Sequence, residues 1–147
     1  MPTRRLLLIA GLAAPLILRL TPALATPETM QAAIDGFTGG APVTEGRVTL
    51  EIPLLVENGN TVPLTVSADS PMTEPDHVQV IAVFNEANPL PDTVRFHFTP
   101  ASGLASAQTR IRLNGTQYVH AIARMSDGTF WSARTNVIVT APACRET

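Results

Sequence analysis

The stretch Gln117-Tyr118-Val119-His120-Ala121-Ile122-Ala123-Arg124-Met125, turned by Ser126-Asp127-Gly128 and continued from Phe130-Trp131 to Thr140, decides the fold class. Its two arms are apolar, strand-length and separated by a tight Asp-Gly turn, the signature of antiparallel pairing. Trp131, Val137 and Val139 fall on one face of the second arm. With Val119 and Met125 on the first arm they are the expected core. Just upstream, Ala105 to Leu113 runs into Asn114-Gly115, the strongest two-residue hairpin signal. A further hairpin is expected there.

Working outward, the same period of two continues. Val94, Phe96 and Phe98 alternate with Arg95, His97 and Thr99. The run from His77 to Phe84 is apolar on both faces (Val78, Val80, Ala82 and Phe84 against Ile81 and Val83), so a central strand is expected. Val48, Leu50 and Ile52 oppose Thr49 and Glu51. After a turn at Glu57-Asn58-Gly59-Asn60, alternation resumes at Val62-Pro63-Leu64-Thr65-Val66. Pro53 and Pro63 restrict those two runs to edge-like or bulged pairing, since proline gives no N–H to a ladder. Ser70-Pro71-Met72-Thr73-Glu74-Pro75 and Asn88-Pro89-Leu90-Pro91-Asp92 are rigid loops. Only Thr26 to Gly40 has helical spacing (Met30, Ala33, Ile34, Phe37), with Pro27-Glu28 in its first turn and Gly39-Gly40 as its stop. A helix so short must pack Ile34 and Phe37 on something to exist. The expected fold is all-β: an immunoglobulin-like antiparallel β-sandwich of about seven strands with a short N-terminal helix.

The front of the chain sets the expected compartment. Arg4-Arg5 stands directly before an apolar run reaching Leu20, and Ala23-Leu24-Ala25 supplies small residues where a signal peptidase cuts. Residues 1–25 therefore read as a twin-arginine export signal. Pro15 and Arg19 break the apolar run, leaving it too short to span a hydrocarbon core of roughly 30 Å. No membrane anchor is expected after cleavage. Residues 26–46 are the helix and a linker, 47–140 the sandwich, and 141–147 a mobile tail. Removal of Arg4, Arg5 and Arg19 leaves seven arginines, no lysine and twelve acids, and moves the formal charge from −2 to −5. Such a chain has no basic stripe, so nucleic acid is not an expected partner.

Cys144, the only cysteine, lies in that tail after Val137-Ile138-Val139-Thr140 and Pro142. A lone cysteine excludes an internal disulfide. In an oxidising compartment it is a leftover thiol, an intermolecular partner or a reactive handle. The other candidates are weaker. His77, His97 and His120 sit on three separate strands without ligand spacing, so no zinc site is expected. No histidine or methionine follows Cys144, which argues against blue copper. Arg110 and Arg112 share a strand face that is either an anion site or simply solvated. Glu74 and Asp76 are loop acids beside prolines, and no nucleophile elbow, hydrolase motif or redox-cofactor motif is evident. Catalysis by this chain alone, or a resident cofactor, is not expected.

The order of these segments carries a resemblance. Val48-Thr49-Leu50-Glu51-Ile52-Pro53, Glu57-Asn58-Gly59-Asn60-Thr61-Val62-Pro63-Leu64-Thr65-Val66 and Asp69-Ser70-Pro71-Met72 resemble the SoxY family. So do Asn88-Pro89-Leu90-Pro91, Phe96-His97-Phe98-Thr99-Pro100, Thr109-Arg110-Ile111-Arg112-Leu113 and Ser126-Asp127-Gly128-Thr129-Phe130-Trp131, over nearly the whole mature chain. The resemblance implies a periplasmic sulfur carrier of thiosulfate oxidation that pairs with a SoxZ-like subunit. It implies that Cys144 holds thiosulfate-derived sulfur covalently between a haem oxidase and a sulfate-releasing hydrolase.

The tail departs from the family pattern. Where the family has Gly-Gly-Cys-Gly-Gly, this chain has Pro142-Ala143-Cys144-Arg145-Glu146-Thr147. The cysteine aligns and the flanking glycines, which give a swinging arm its freedom, are gone. Arg145 is positioned to favour the thiolate or to pair with a bound sulfonate. The alternative is a divergent SoxY-like periplasmic binding module in which Cys144 is silent or dimerises the protein.

Overall fold

The computed structural model describes residues 24–144. Most of the expected export signal, including Arg4 and Arg5, and the last three residues, Arg145 among them, lie outside the described residues.

The helix forms where its spacing placed it. Helix α1 (Pro27–Thr38) opens on a reciprocal cap: the Thr29 N–H donates to Thr26 Oγ1 at 3.2 Å, and the Thr26 N–H donates to Thr29 Oγ1 at 2.6 Å. Pro27 occupies the first turn, where its missing N–H is harmless. Gly39 closes the helix at φ 65°, a left-handed cap that side chains resist. Met30, Ile34 and Phe37 are buried at spacings of four and three. They pack on Val80, Ala82, Phe84, Ile122 and Phe130. Each such side chain contributes roughly 1.5–3 kcal/mol by leaving water, enough to hold a helix that has no stability alone. Phe37 meets the rings of Phe84 and Phe130 at 5.8 and 5.6 Å, with the Arg95 and Arg124 guanidinium groups 5.1 and 5.8 Å from its centroid.

Among the described residues the chain then forms nine strands: β1 (Val43–Glu45), β2 (Val48–Glu51), β3 (Leu55–Val56), β4 (Val62–Ala68), β5 (Val78–Asn85), β6 (Asp92–His97), β7 (Ser106–Ile111), β8 (Gln117–Met125) and β9 (Phe130–Val139). One sheet runs β1-β9-β8-β5-β6, with β3 also on β9; the other runs β2-β4-β7. Their inner faces share one core, centred on Leu64, Val66, Ile81, Val83, Leu113, Val119, Met125 and Val137. Helix α1 covers the outer face of the larger sheet. The architecture is an immunoglobulin-like sandwich of two sheets with one short helix.

Several expectations hold in detail. Strand β5 lies between β6 and β8 and is buried along almost its whole length. Strands β8 and β9 form the expected hairpin, its turn closed by Met125 N–H to the Thr129 carbonyl at 2.9 Å and by Asp127 Oδ1 accepting from the Thr129 N–H at 2.9 Å. Val119, Met125, Val137 and Val139 are buried, and Trp131 is half-buried.

Three points differ. First, the segment expected to be linker contains β1, which with β3 pairs parallel to β9. These two short strands cover the ends of a ten-residue edge that would otherwise offer free N–H and C=O groups. Second, Asn114-Gly115 does not close a hairpin. Strand β7 pairs with β4 and β8 with β5 and β9, so residues 112–116 cross from one sheet to the other. The backbone groups of that turn bond to other segments of the chain. Third, Pro63 sits in β4, the middle strand of its sheet. Its register partner is Arg110 of β7, while β2 stops with Glu51 opposite Thr65. The proline thus occupies a stretch with a neighbour on one side only, which is the edge-like condition it requires.

Candidate functional site

The site is the end of the sandwich where the chain leaves β9, and it is built on a turn. Asn58 Oδ1 accepts from the Asn60 N–H at 3.0 Å, an Asx turn that fixes Gly59 between them. Gly59 is buried. Its N–H donates to the Ala141 carbonyl at 2.8 Å, and its carbonyl accepts from the Leu113 N–H at 2.8 Å. The Leu113 carbonyl in turn accepts from the Ala143 N–H at 2.9 Å. Three segments distant in sequence are thereby tied through backbone groups alone. They approach so closely that a Cβ on Gly59 would collide with the Leu113 carbonyl and stand 2.7 Å from the Ala143 nitrogen.

A buried polar cluster holds the Leu113 side of this clamp. Asn88 Nδ2 donates to the Arg112 carbonyl at 2.7 Å, and Asn88 Oδ1 accepts from the Asn114 N–H at 3.1 Å. One side chain therefore grips the backbone on both sides of Leu113. Gln117 donates to Asn88 Oδ1 at 3.2 Å and to the Gly115 carbonyl at 3.0 Å, and its own carbonyl accepts from the Ala87 N–H at 3.0 Å. Asn88 and Gln117 are 8% and 2% exposed, so these bonds are made away from water, where an unmet polar group is costly. The crossing at Asn114-Gly115 is thus shaped by what it must grip.

The tail is laid against this frame. Thr140 N–H donates to the Val56 carbonyl at 2.9 Å, Ala141 and Ala143 are bonded to Gly59 and Leu113, and the Cys144 N–H donates to Asn60 Oδ1 at 3.1 Å. Pro142, which has no N–H, falls between two bonded residues and leaves no donor unmet. Ala143 is buried, whereas Cys144 is exposed with a free thiol. Of the segment expected to be a mobile tail, Ala141 to Cys144 is therefore bonded to the sandwich end. Beside it, the parallel pair of β3 and β9 leaves Leu54, Leu55 and Ile138 exposed, with Leu55 opposite Ile138.

The other sequence candidates do not join this site. His77 Nδ1 lies 3.0 and 3.1 Å from the carbonyls of Thr73 and Glu74 and serves its own loop. His97 is exposed on β6, and no group of three or more His, Cys, Asp or Glu converges among the described residues. Among the described residues exposed Arg110 reaches only Thr61, at 3.4 Å, while Arg112 follows the last residue of β7. Both are exposed, alternating with buried Ile111 and Leu113, and no ligand-holding cluster forms around them among the described residues.

Among the described residues the fold perturbs three titratable groups, Glu28, His120 and Asp127, of which His120 is the one that ordinarily titrates near neutral pH. Burial lowers its pKa first, the Arg134 charge lowers it further, and Glu86 opposes both. The unfolded chain, with an ordinary value of about 6.5, then binds more protons than the folded one, so acidification from near pH 6.5 favours unfolding. Melting temperature is expected to fall from pH 7.5 to pH 5.5, and His120→Gln to flatten that slope. An unchanged slope in the variant removes His120 as its cause.

Gly59, Asn60, Asn88, Leu113 and Gln117 were not singled out as site residues from sequence. The turn signals at 57–60 and 114–115 and the proline-bracketed loop at 88–92 marked their positions without showing that they meet.

Comparison with known proteins bears on what this arrangement is for. The family described as sulfur oxidation protein SoxY matches residues 34–144, ending on Cys144 itself. Among solved structures, the sulfur carrier protein SoxY from Chlorobium limicola f. thiosulfatophilum is similar with TM-score 0.65 and 25% identity, over 77% of this chain and 97% of that one. A superoxide reductase (neelaredoxin) E23A variant from Ignicoccus hospitalis shares the fold at TM-score 0.57 and 17% identity, over 79% and 94% of the two chains. A superoxide reductase described as putative, from Thermotoga maritima, does so at 0.53 and 20%, over 70% and 89%. No curated protein matches the sequence. With the family match spanning most of the chain and reaching the exposed thiol, this chain belongs to the SoxY family of sulfur oxidation proteins.

Proposed function

We propose that the protein is a periplasmic sulfur carrier that holds thiosulfate-derived sulfur on Cys144 and works with a SoxZ-like subunit. The observation that carries this is the exposure of Cys144, the chain's sole thiol, at the residue where the family match ends. In the first step a haem oxidase joins the Cys144 sulfur to the outer sulfur of thiosulfate. An S–S bond forms, the thiol proton goes to solvent, and two electrons pass to the haem enzyme. A hydrolase then breaks the bond between the sulfonate and the neighbouring sulfur with water, releasing sulfate and leaving a persulfide. A further partner enzyme then oxidises the outer persulfide sulfur to a sulfonate, with three waters supplying its oxygens and six electrons passing to that enzyme, and a second hydrolysis of the S–S bond releases sulfate and returns the thiol. The chain supplies the handle and its presentation, and the partner enzymes accept the electrons and carry out the hydrolysis. Arg145 follows the thiol and is suited to pair with the sulfonate. Export through Arg4-Arg5 delivers the folded protein to the periplasm.

A protein partner is supported by the surface. The apolar face of α1 is covered by the protein's own sheet, so it is not what a partner covers. Leu54, Leu55 and Ile138, 66%, 58% and 51% exposed, are available. Co-expression with a SoxZ-like protein is expected to give a stable heterodimer burying about 1,200–2,000 Å² in total. Size-exclusion chromatography checks this, and a monomer eluting apart from the co-expressed subunit refutes it.

A further inference from the structure

We infer that Asn60 is a latch for the carrier cysteine, and that Cys144 swings about Ala143 alone and not on a long free arm. This rests on the carrier role proposed for the thiol. The bonds holding the tail divide into two kinds. Those of Thr140, Ala141 and Ala143 run backbone to backbone, into Val56, Gly59 and Leu113. The last, from the Cys144 N–H to Asn60 Oδ1, depends on one exposed side chain. Ala143 is 5% exposed and its partner Leu113 is fully buried, so this fastening lies under cover. The Asn60 bond lies at the surface, where an arriving protein can replace it with a contact of its own.

Breaking the outer bond frees one residue. At roughly 3.5 Å per extended residue the thiol gains one residue of reach, whereas a tail loose from Ala141 onward would gain four, about 14 Å. A partner enzyme must therefore bring its reacting centre close to the sandwich end, and Asn60 sets the resting position from which the thiol departs. Asn60 acts through the Cys144 amide and is a positioning residue. It does not touch the sulfur.

The test uses the folded protein labelled with a nitroxide at Cys144, its sole cysteine, together with amide hydrogen exchange on the unlabelled protein. Loss of one hydrogen bond of ~1 kcal/mol corresponds to about a five-fold change. Asn60→Ala is expected to speed exchange of the Cys144 amide about five-fold and to narrow the nitroxide lines. The Ala143 amide and the melting temperature should stay unchanged. Asn60→Asp keeps an acceptor at the same place and is expected to restore both signals, which a general loosening of the turn would not allow. A wild-type label already as mobile as in denatured protein, or an Asn60→Ala variant indistinguishable from wild type, overturns the latch. Neither readout involves thiosulfate. If Cys144 fails to take up sulfur while the latch signals appear, the carrier role falls and the latch stands.

Discussion

Gly59→Ala lowers the melting temperature by roughly 8–16 °C, the largest stability loss expected from any one-methyl change outside the core. The residue's own torsions are not the cause, because its φ is not in the left-handed region. The cause is crowding. The added Cβ meets the Leu113 carbonyl oxygen, the Ala143 nitrogen at 2.7 Å and the Ala141 oxygen at 3.0 Å, all backbone atoms that cannot rotate away. Three hydrogen bonds among these residues must lengthen or break, at about 2–4 kcal/mol in sum. At this chain length each kcal/mol corresponds to roughly 4 °C. A chain ending at Thr140 separates the two contributions. It loses the bonds to Ala141 and Ala143 but keeps Leu113 N–H on the Gly59 carbonyl, so it should melt between wild type and Gly59→Ala. Releasing the tail does not relieve the collision with Leu113, which is fixed in the core and gripped on both sides by Asn88. A Gly59→Ala protein melting within about 2 °C of wild type would mean that the three segments do not approach this closely.

How far these features were legible in the sequence depends on the range of the force involved. Alternation of apolar and polar residues is local, and it placed β5, β6, β8 and β9 and the core side of each. Helix α1 was legible in its first turn and its stop, because Pro27 and Gly39 act within one turn of where they stand, while the Thr26 cap was seen only in the structure. Asn114-Gly115 shows where local signals stop. The dipeptide does turn the chain, but whether the flanking strands pair is settled by partners some 25–55 residues away in sequence: Asn88 on the Asn114 N–H and Gly59 on the Leu113 N–H. Strands β1 and β3 were missed for a related reason. They are three and two residues long, too short to show a period, and exist because β9 offers them an edge. At the site, Cys144 was legible as a chemical type. Its fastening was not, since a hydrogen bond from a tail amide to Asn60 leaves no trace in composition or spacing.

Cys144→Ser abolishes every sulfur adduct on the protein, the largest functional change expected from a single atom. Intact mass after incubation with thiosulfate and the haem oxidase should show the thiosulfonate and persulfide forms in wild type and only the unmodified chain in the variant. Folding should survive, because the tail is held through the Cys144 N–H and not through sulfur, and serine keeps that N–H. An exposed substitution of this kind shifts stability by no more than about 0.5 kcal/mol, so heterodimer formation and melting temperature serve as controls. Adducts persisting in Cys144→Ser would place the chemistry on another group and end the carrier proposal. The tail's own contribution is isolated by Arg145→Gly with Glu146→Gly and Thr147 deleted, which restores small, permissive residues after the thiol. Because Ala141 and Ala143 remain bonded to Gly59 and Leu113, this variant alters only the residues beyond the clamp. Loading is expected in both proteins, with the glycine-ended one faster, since bulk beside the thiol is what an enclosing enzyme channel resists. If the glycine-ended protein is loaded and wild type is not, the alternative holds: a SoxY relative whose cysteine no longer carries sulfur.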